Sequence, residues 1–178
     1  MSPQREKSNL NRLDILKQSY RLMAEYSWDS ISVTTLEKHI SQTRGAIFYF
    51  NKNKNDLFIN MIDELFFPVF QLSQNQKEKY RTCSAKLFFA TYRTSFERVL
   101  DDLRENYGFL NPSRNLLNII SQAQKYYPDF TQKIKASLTM EIDFVDQIAG
   151  TKNRFHLKGY NLFVQSAGQI LMDSLSLI

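Results

Sequence analysis

Glycine and proline are so scarce in this chain that a sheet-rich fold would lack its turns. The sequence holds 5 Gly and 4 Pro in 178 residues, well under the roughly 12% of average usage. Neither residue occurs between Pro3 and Gly45, nor between Pro68 and Gly108. Stretches of that length, filled with Leu, Lys, Asn, Gln, Glu and Ser, predict an all-α fold. Aromatic residues make up 13% of the chain, through 14 Phe, 9 Tyr and 1 Trp. They predict a ring-packed interior suited to a ring-shaped guest and exclude disorder as the dominant state. A chain of this length buries a core without disulfide or metal staples.

Cys83 is the lone cysteine, and the N-terminal MSPQREKSNLNR is charged where a secretory signal is apolar. The expected compartment is therefore the cytoplasm. Even the apolar run FVQSAGQILMDSLSLI is interrupted by Gln165, Gln169 and Asp173, so no membrane span is expected. The net charge of +5 permits binding to a polyanion. Residues 1–58 carry 9 Lys and Arg against 6 Asp and Glu, so more than half of the positive excess lies in the first third. Two histidines stand outside any catalytic motif, and the chain has no HExxH, CxxC, phosphate-binding glycine loop or EF-hand pattern. Neither enzymatic activity nor a cofactor or metal is expected.

Leu13, Leu16, Tyr20, Met23 and Ala24 recur at helical spacing and predict a helix of about 15 residues, capped by Asn9 or Asn11 and broken at Ser27 and Asp29. In TTLEKHI, Leu36 and Ile40 share a face, Ser32 or Thr34 can cap, and Glu37 is expected in the first turn. Gln42 and Thr43 read as a tight turn, with Thr43 capping a third helix, RGAIFYFN. NKNKND breaks that helix, and Asn55 or Asp56 starts a fourth, DLFINMIDELFFPVF. Pro68 and the polar residues 73–79 read as a hinge or loop. Beyond it, a helix ends at Gly108, another opens at Pro112, and a third has Pro128 in its first turn and ends at Gly150. A last run starts near Leu157, making eight helices in all.

Two short helices joined by a tight turn form the unit that places a recognition helix in the major groove. The segment SYRLMAEYSWDSISVTTLEKHISQTRGAIFYFNKNKNDLF resembles the DNA-binding domain of TetR-family bacterial transcriptional regulators, closely over residues 13–58. The resemblance implies an N-terminal three-helix helix-turn-helix DNA-binding domain over residues 1–55. It also implies a C-terminal helical ligand-binding and dimerisation domain over residues 56–178. Thr34 matches a phosphate-touching position at the start of the second helix, where a helix N-terminus suits an anion. Thr43 and Arg44 match the start of the recognition helix, and Arg44 has the planar fork that pairs with guanine O6 and N7. Gly45 and Ala46 match small positions that let the helix lie close to the groove. Tyr49 and Lys54 match contacts to the phosphate backbone.

This chain departs from the family pattern at four places. Ser41 stands where a turn glycine is usual, although glycine takes such a conformation more cheaply. Gln42 replaces a small apolar plug, Phe50 with Asn51 replaces a His-Phe pair, and Ser27 replaces a common glycine at a helix end where serine is tolerated.

The implied protein is a homodimeric repressor, paired through its C-terminal helices on a palindromic double-stranded DNA operator. A small-molecule inducer would release it. Leu162, Phe163, Val164, Ile170 and Leu171 fit the dimer face, with Ser166, Ala167 and Gly168 allowing close approach. Phe88, Tyr92, Phe96, Tyr126 and Phe144 are the candidate pocket rings, and Arg93, Arg114 or Gln122 could orient a polar group. The Ser41, Gln42 and Asn51 departures leave open an alternative: a helical protein-interaction adaptor that keeps the head as a scaffold without specific DNA binding.

Overall fold

A computed structural model describes residues 3–152, which form eight α-helices and, among the described residues, no strand. They are α1 (Pro3–Glu25), α2 (Val33–Ile40), α3 (Arg44–Tyr49), α4 (Lys54–Met61), α5 (Gln74–Thr82), α6 (Ala85–Tyr107), α7 (Pro112–Tyr126) and α8 (Phe130–Lys152). The fold is all-α, as expected. Among the described residues no helix is long and apolar enough to cross a membrane. The run from Leu157 onward, with the expected dimer face, lies outside the described residues.

Local chemistry explains most helix ends. Ser32 caps α2 by accepting the Thr35 N–H at 3.0 Å, and Thr43 caps α3 by accepting the Ala46 N–H at 3.2 Å. Gly108 stops α6 in the left-handed region at φ 67°, the C-terminal role that glycine fills most easily. Tyr127 ends α7 in extended conformation, because the Pro128 ring disfavours helical geometry in the residue before it.

Several boundaries differ from the sequence reading. Helix α1 spans 23 residues from Pro3, so Asn9 and Asn11 lie inside it. Proline suits the first helical position because its missing N–H has no partner to lose there. Glu37 sits beyond the first turn of α2. Asn53 caps α4, accepting the Asp56 N–H at 2.9 Å, so that helix starts before Asn55. Pro128 precedes α8, whose first residue follows Asp129 at φ 53°. The expected loop at 73–79 is instead most of α5, started by a reciprocal capping box between Ser73 and Gln76. That Ser-x-x-Gln signal is present in the sequence, and the polarity of the segment masked it. Between α4 and α5 the chain makes a π-helical turn, Ile62–Phe66, and a 3-10 turn, Phe67–Phe70.

Helix α1 is the central element. Its Ile15, Leu16, Tyr20 and Met23 are fully buried, and it packs against α2 and α4 on one side and α6 and α7 on the other. Rings continue this core from the head into α7: Trp28 lies 5.4 Å from Phe58, and Phe58 lies 5.7 Å from Tyr126. The C-terminal carbonyls of α1 meet three amide side chains of α7. Asn115 and Asn118 donate to the Ala24 carbonyl at 2.9 and 3.0 Å, and Gln122 donates to the Met23 carbonyl at 2.8 Å. These are orphan acceptors at any helix end, and here a neighbouring helix satisfies them.

Candidate nucleic-acid interface

Helices α2 and α3 meet through an apolar seam. Leu36, Ile40 and Ile47 are buried, so the inner faces are fixed and the outer face of α3 is set by default. Between the helices Ser41 takes the left-handed conformation at φ 56°, ψ 36°. The chain thus makes the usual turn without the usual glycine, at some conformational cost. Asn51 is buried, donates to the Ile47 carbonyl at 3.0 Å and accepts from the Asn60 side chain at 2.8 Å. It closes the end of α3 and pins it to α4. Phe50 packs partly buried against the core. Both departures from the family pattern therefore leave the turn between α2 and α3 and the end of α3 ordered.

The outer face of α3 carries the residues that the resemblance singles out. Thr43, Arg44, Gly45 and Tyr49 are exposed and Ala46 is half-buried. Tyr49 is 78% exposed, its ring edge-on to Phe50 at 4.8 Å. The Arg44 backbone N–H donates to Glu37 Oε1 at 2.7 Å, which secures the start of α3 without using the guanidinium. Glu37 is thus a positioning residue that its sequence context did not reveal. The Thr43 hydroxyl accepts the capping bond and keeps its own proton available to donate. At Gly45 an added Cβ would meet only Thr43 Oγ1, at 4.0 Å, so nothing among the described residues demands glycine there.

A groove of about 700 Å³ runs between the first part of α1 and α3, with Lys7, Ser8 and Asn11 facing Gln42, Gly45, Ala46, Tyr49 and Phe50. Thr34 is exposed near the start of α2. Lys7, Lys38, Arg44 and Lys52 are exposed basic groups of the head. Lys54 is placed differently from the surface contact expected of it. Its Nζ donates to the Trp28 carbonyl at 2.5 Å and lies 4.6 Å from the centre of the indole ring. Burial lowers its pKa. Lys54 therefore ties α4 to the Trp28 turn, and Lys52 is the exposed cation at that end.

Among the described residues, the candidate rings Phe88, Tyr92, Tyr126 and Phe144 pack into or against the core. Phe88 and Tyr92 are buried around Tyr80, with Phe88 at 5.3 Å and Tyr92 at 6.2 Å from it. Phe144 is covered by Lys77, whose Nζ is 5.4 Å from its ring centre. Tyr126 packs on Phe58, and the side chains of Phe96 and Arg93 lie outside the described residues. Gln122 is committed to the end of α1, and Arg114 lines a depression of about 610 Å³ beside Leu110 and Leu117. A cavity of about 470 Å³ lies instead between residues 64–72, residues 99–107 of α6 and Glu141 of α8. One sequence signal pointed to it, namely a carboxylate at Glu141 in register with the buried Phe130, Ser137, Phe144, Val145 and Ile148.

The chain matches no protein-family model, no curated protein and no solved structure.

Proposed function

We propose that this chain is a sequence-specific DNA-binding transcriptional regulator of the TetR type, reading duplex DNA with α3. The observation that carries the reading is the asymmetry of α3. Ile47 on its inner face is fully buried, while Thr43, Arg44, Gly45 and Tyr49 are exposed on its outer face. An exposed ring, a fork-shaped cation and a glycine that internal packing does not require are costly or idle on a free surface, and useful against a base edge. Phosphate contacts from Thr34, Thr43, Tyr49 and Lys52 would set the register, and Arg44 would specify.

In this reading two copies pair through the C-terminal helices and place two copies of α3 on the halves of a palindromic operator. A small molecule shifts the population of head spacings and so releases the DNA. The departures at Ser41 and Asn51 keep the turn and the end of α3 in order, which favours this reading over a scaffold that has lost its DNA contacts. Selection of bound sequences from a random duplex library near physiological salt tests it. Enrichment of an inverted repeat is the expected result, and no enrichment by a folded dimer would overturn it.

A further inference from the structure

Among the described residues, nine Asn and Gln side chains are buried or half-buried. Seven of them hydrogen-bond within the chain. The remaining two, Asn11 of α1 and Gln42 of the turn before α3, have no hydrogen-bond partner among the described residues, and both line the groove of about 700 Å³ between α1 and α3. Leu36, Ile40 and Ile47 are buried between α2 and α3, so Gln42, in place of a small apolar plug, is half-buried beside that groove instead.

An uncommitted amide carries two N–H donors. Lys7 and Ser8 add an ammonium and a hydroxyl from α1, and no Asp or Glu lines the groove among the described residues. Tyr49, the exposed ring of α3, borders the same space. Such a lining offers hydrogen-bond donors and a positive charge to an extended polyanion, with no carboxylate to repel it.

We propose that this groove seats the sugar-phosphate backbone of the bound duplex. The Lys7 ammonium and the amide N–H groups of Asn11 and Gln42 donate to phosphate oxygens, and α1 thereby sets the angle at which α3 enters the major groove. These side chains are positioning residues, because phosphate contacts fix register and carry no sequence information themselves. The proposal rests on the regulator reading and adds α1 to the elements that hold its DNA.

The test is fluorescence anisotropy of the full chain with the duplex enriched from the random library and with a scrambled duplex of equal length, at several salt concentrations. Lys7→Ala is expected to weaken both duplexes alike and to lower the salt slope by about one per half-site. Alanine suits a helix at least as well as lysine, so the variant keeps its fold. Asn11→Ala and Gln42→Ala are each expected to weaken both duplexes by about twofold to tenfold at an unchanged salt slope, since a neutral donor releases no counterion. Gln42→Glu, which puts a carboxylate in the groove, should weaken both further. Four results would each overturn the proposal: an unchanged salt slope in K7A, full affinity in both N11A and Q42A, a changed base preference in Q42A, or lost affinity that tracks a lowered unfolding midpoint. Unchanged binding by K7A with operator selection intact removes the groove alone. Should no sequence be enriched, the regulator reading falls, and the K7A slope on the scrambled duplex still judges the groove.

Discussion

The backbone N–H of Trp28, just beyond α1, donates to the side-chain oxygen of Gln122 on α7 at 2.5 Å, across 94 residues of sequence. The amide nitrogen of Gln122 reaches the Met23 and Tyr26 carbonyls at 2.8 and 3.2 Å. One buried side chain thus closes the last turn of α1 and holds the turn that leads into α2.

Replacing Gln122 with Ala leaves a buried N–H and two carbonyls without this partner. The expected loss is about 1–3 kcal/mol of stability, read from the shift of a urea unfolding midpoint at unchanged slope. Gln122→Met, which restores volume without hydrogen bonds, should be similarly destabilised. Full stability in that variant would mean that packing, not bonding, is the contribution.

Gly45 yields opposite signs for folding and binding. A Cβ there meets nothing closer than Thr43 Oγ1 at 4.0 Å, and alanine is favoured over glycine in a helix by about 0.5–1 kcal/mol. Gly45→Ala should therefore raise thermal stability, while Gly45→Leu should lower operator affinity by about tenfold or more, at least about 1.4 kcal/mol. Unimpaired binding by the leucine variant would place the DNA away from this face of α3.

Arg44 and Lys52 should separate in kind. Arg44→Ala is expected to cost about 1–3 kcal/mol per half-site and to relax preference at one base pair. Its backbone N–H still reaches Glu37, so the helix should persist by circular dichroism. Lys52→Ala should weaken all sequences alike and lower the salt slope by about one per half-site. Competition binding at several salt concentrations distinguishes the two patterns.

Burial raises the Glu141 carboxyl pKa, while the Leu72 N–H and Lys77 pull it down less strongly. The folded chain then holds this proton more tightly than the unfolded chain does. The contribution of Glu141 to stability is full below its unfolded value of about 4.3 and is lost as pH rises through the higher folded value. Relative to the unmodified protein, Glu141→Gln should gain stability as pH rises toward neutral. Denaturant titrations from about pH 4 to 8 test this, and a difference that stays flat with pH would show that Glu141 keeps its ordinary pKa.

Much of the fold was readable from local rules. The scarcity of Gly and Pro indicated helices, and Ser32, Thr43, Gly108 and Pro112 marked ends that the structure places where the rules put them. The left-handed conformation at Ser41 was expected only from the family resemblance, which sets a turn glycine at that position, since the local reading placed the turn at Gln42 and Thr43. Residues 73–79 misled because polarity was weighed above the capping box.

The remaining features depend on partners distant in sequence. The commitment of Gln122 to α1, the turning of Lys54 onto Trp28 and the packing of the candidate rings Phe88, Tyr92, Tyr126 and Phe144 into or against the core all follow from how helices dock. No periodicity encodes that choice. The sequence by itself determined that this protein is built of helices, where many of them stop, and which face of each is apolar. Only the tertiary structure decided which polar groups those faces bring together, because a buried hydrogen bond or cavity wall is set by packing between segments up to a hundred residues apart.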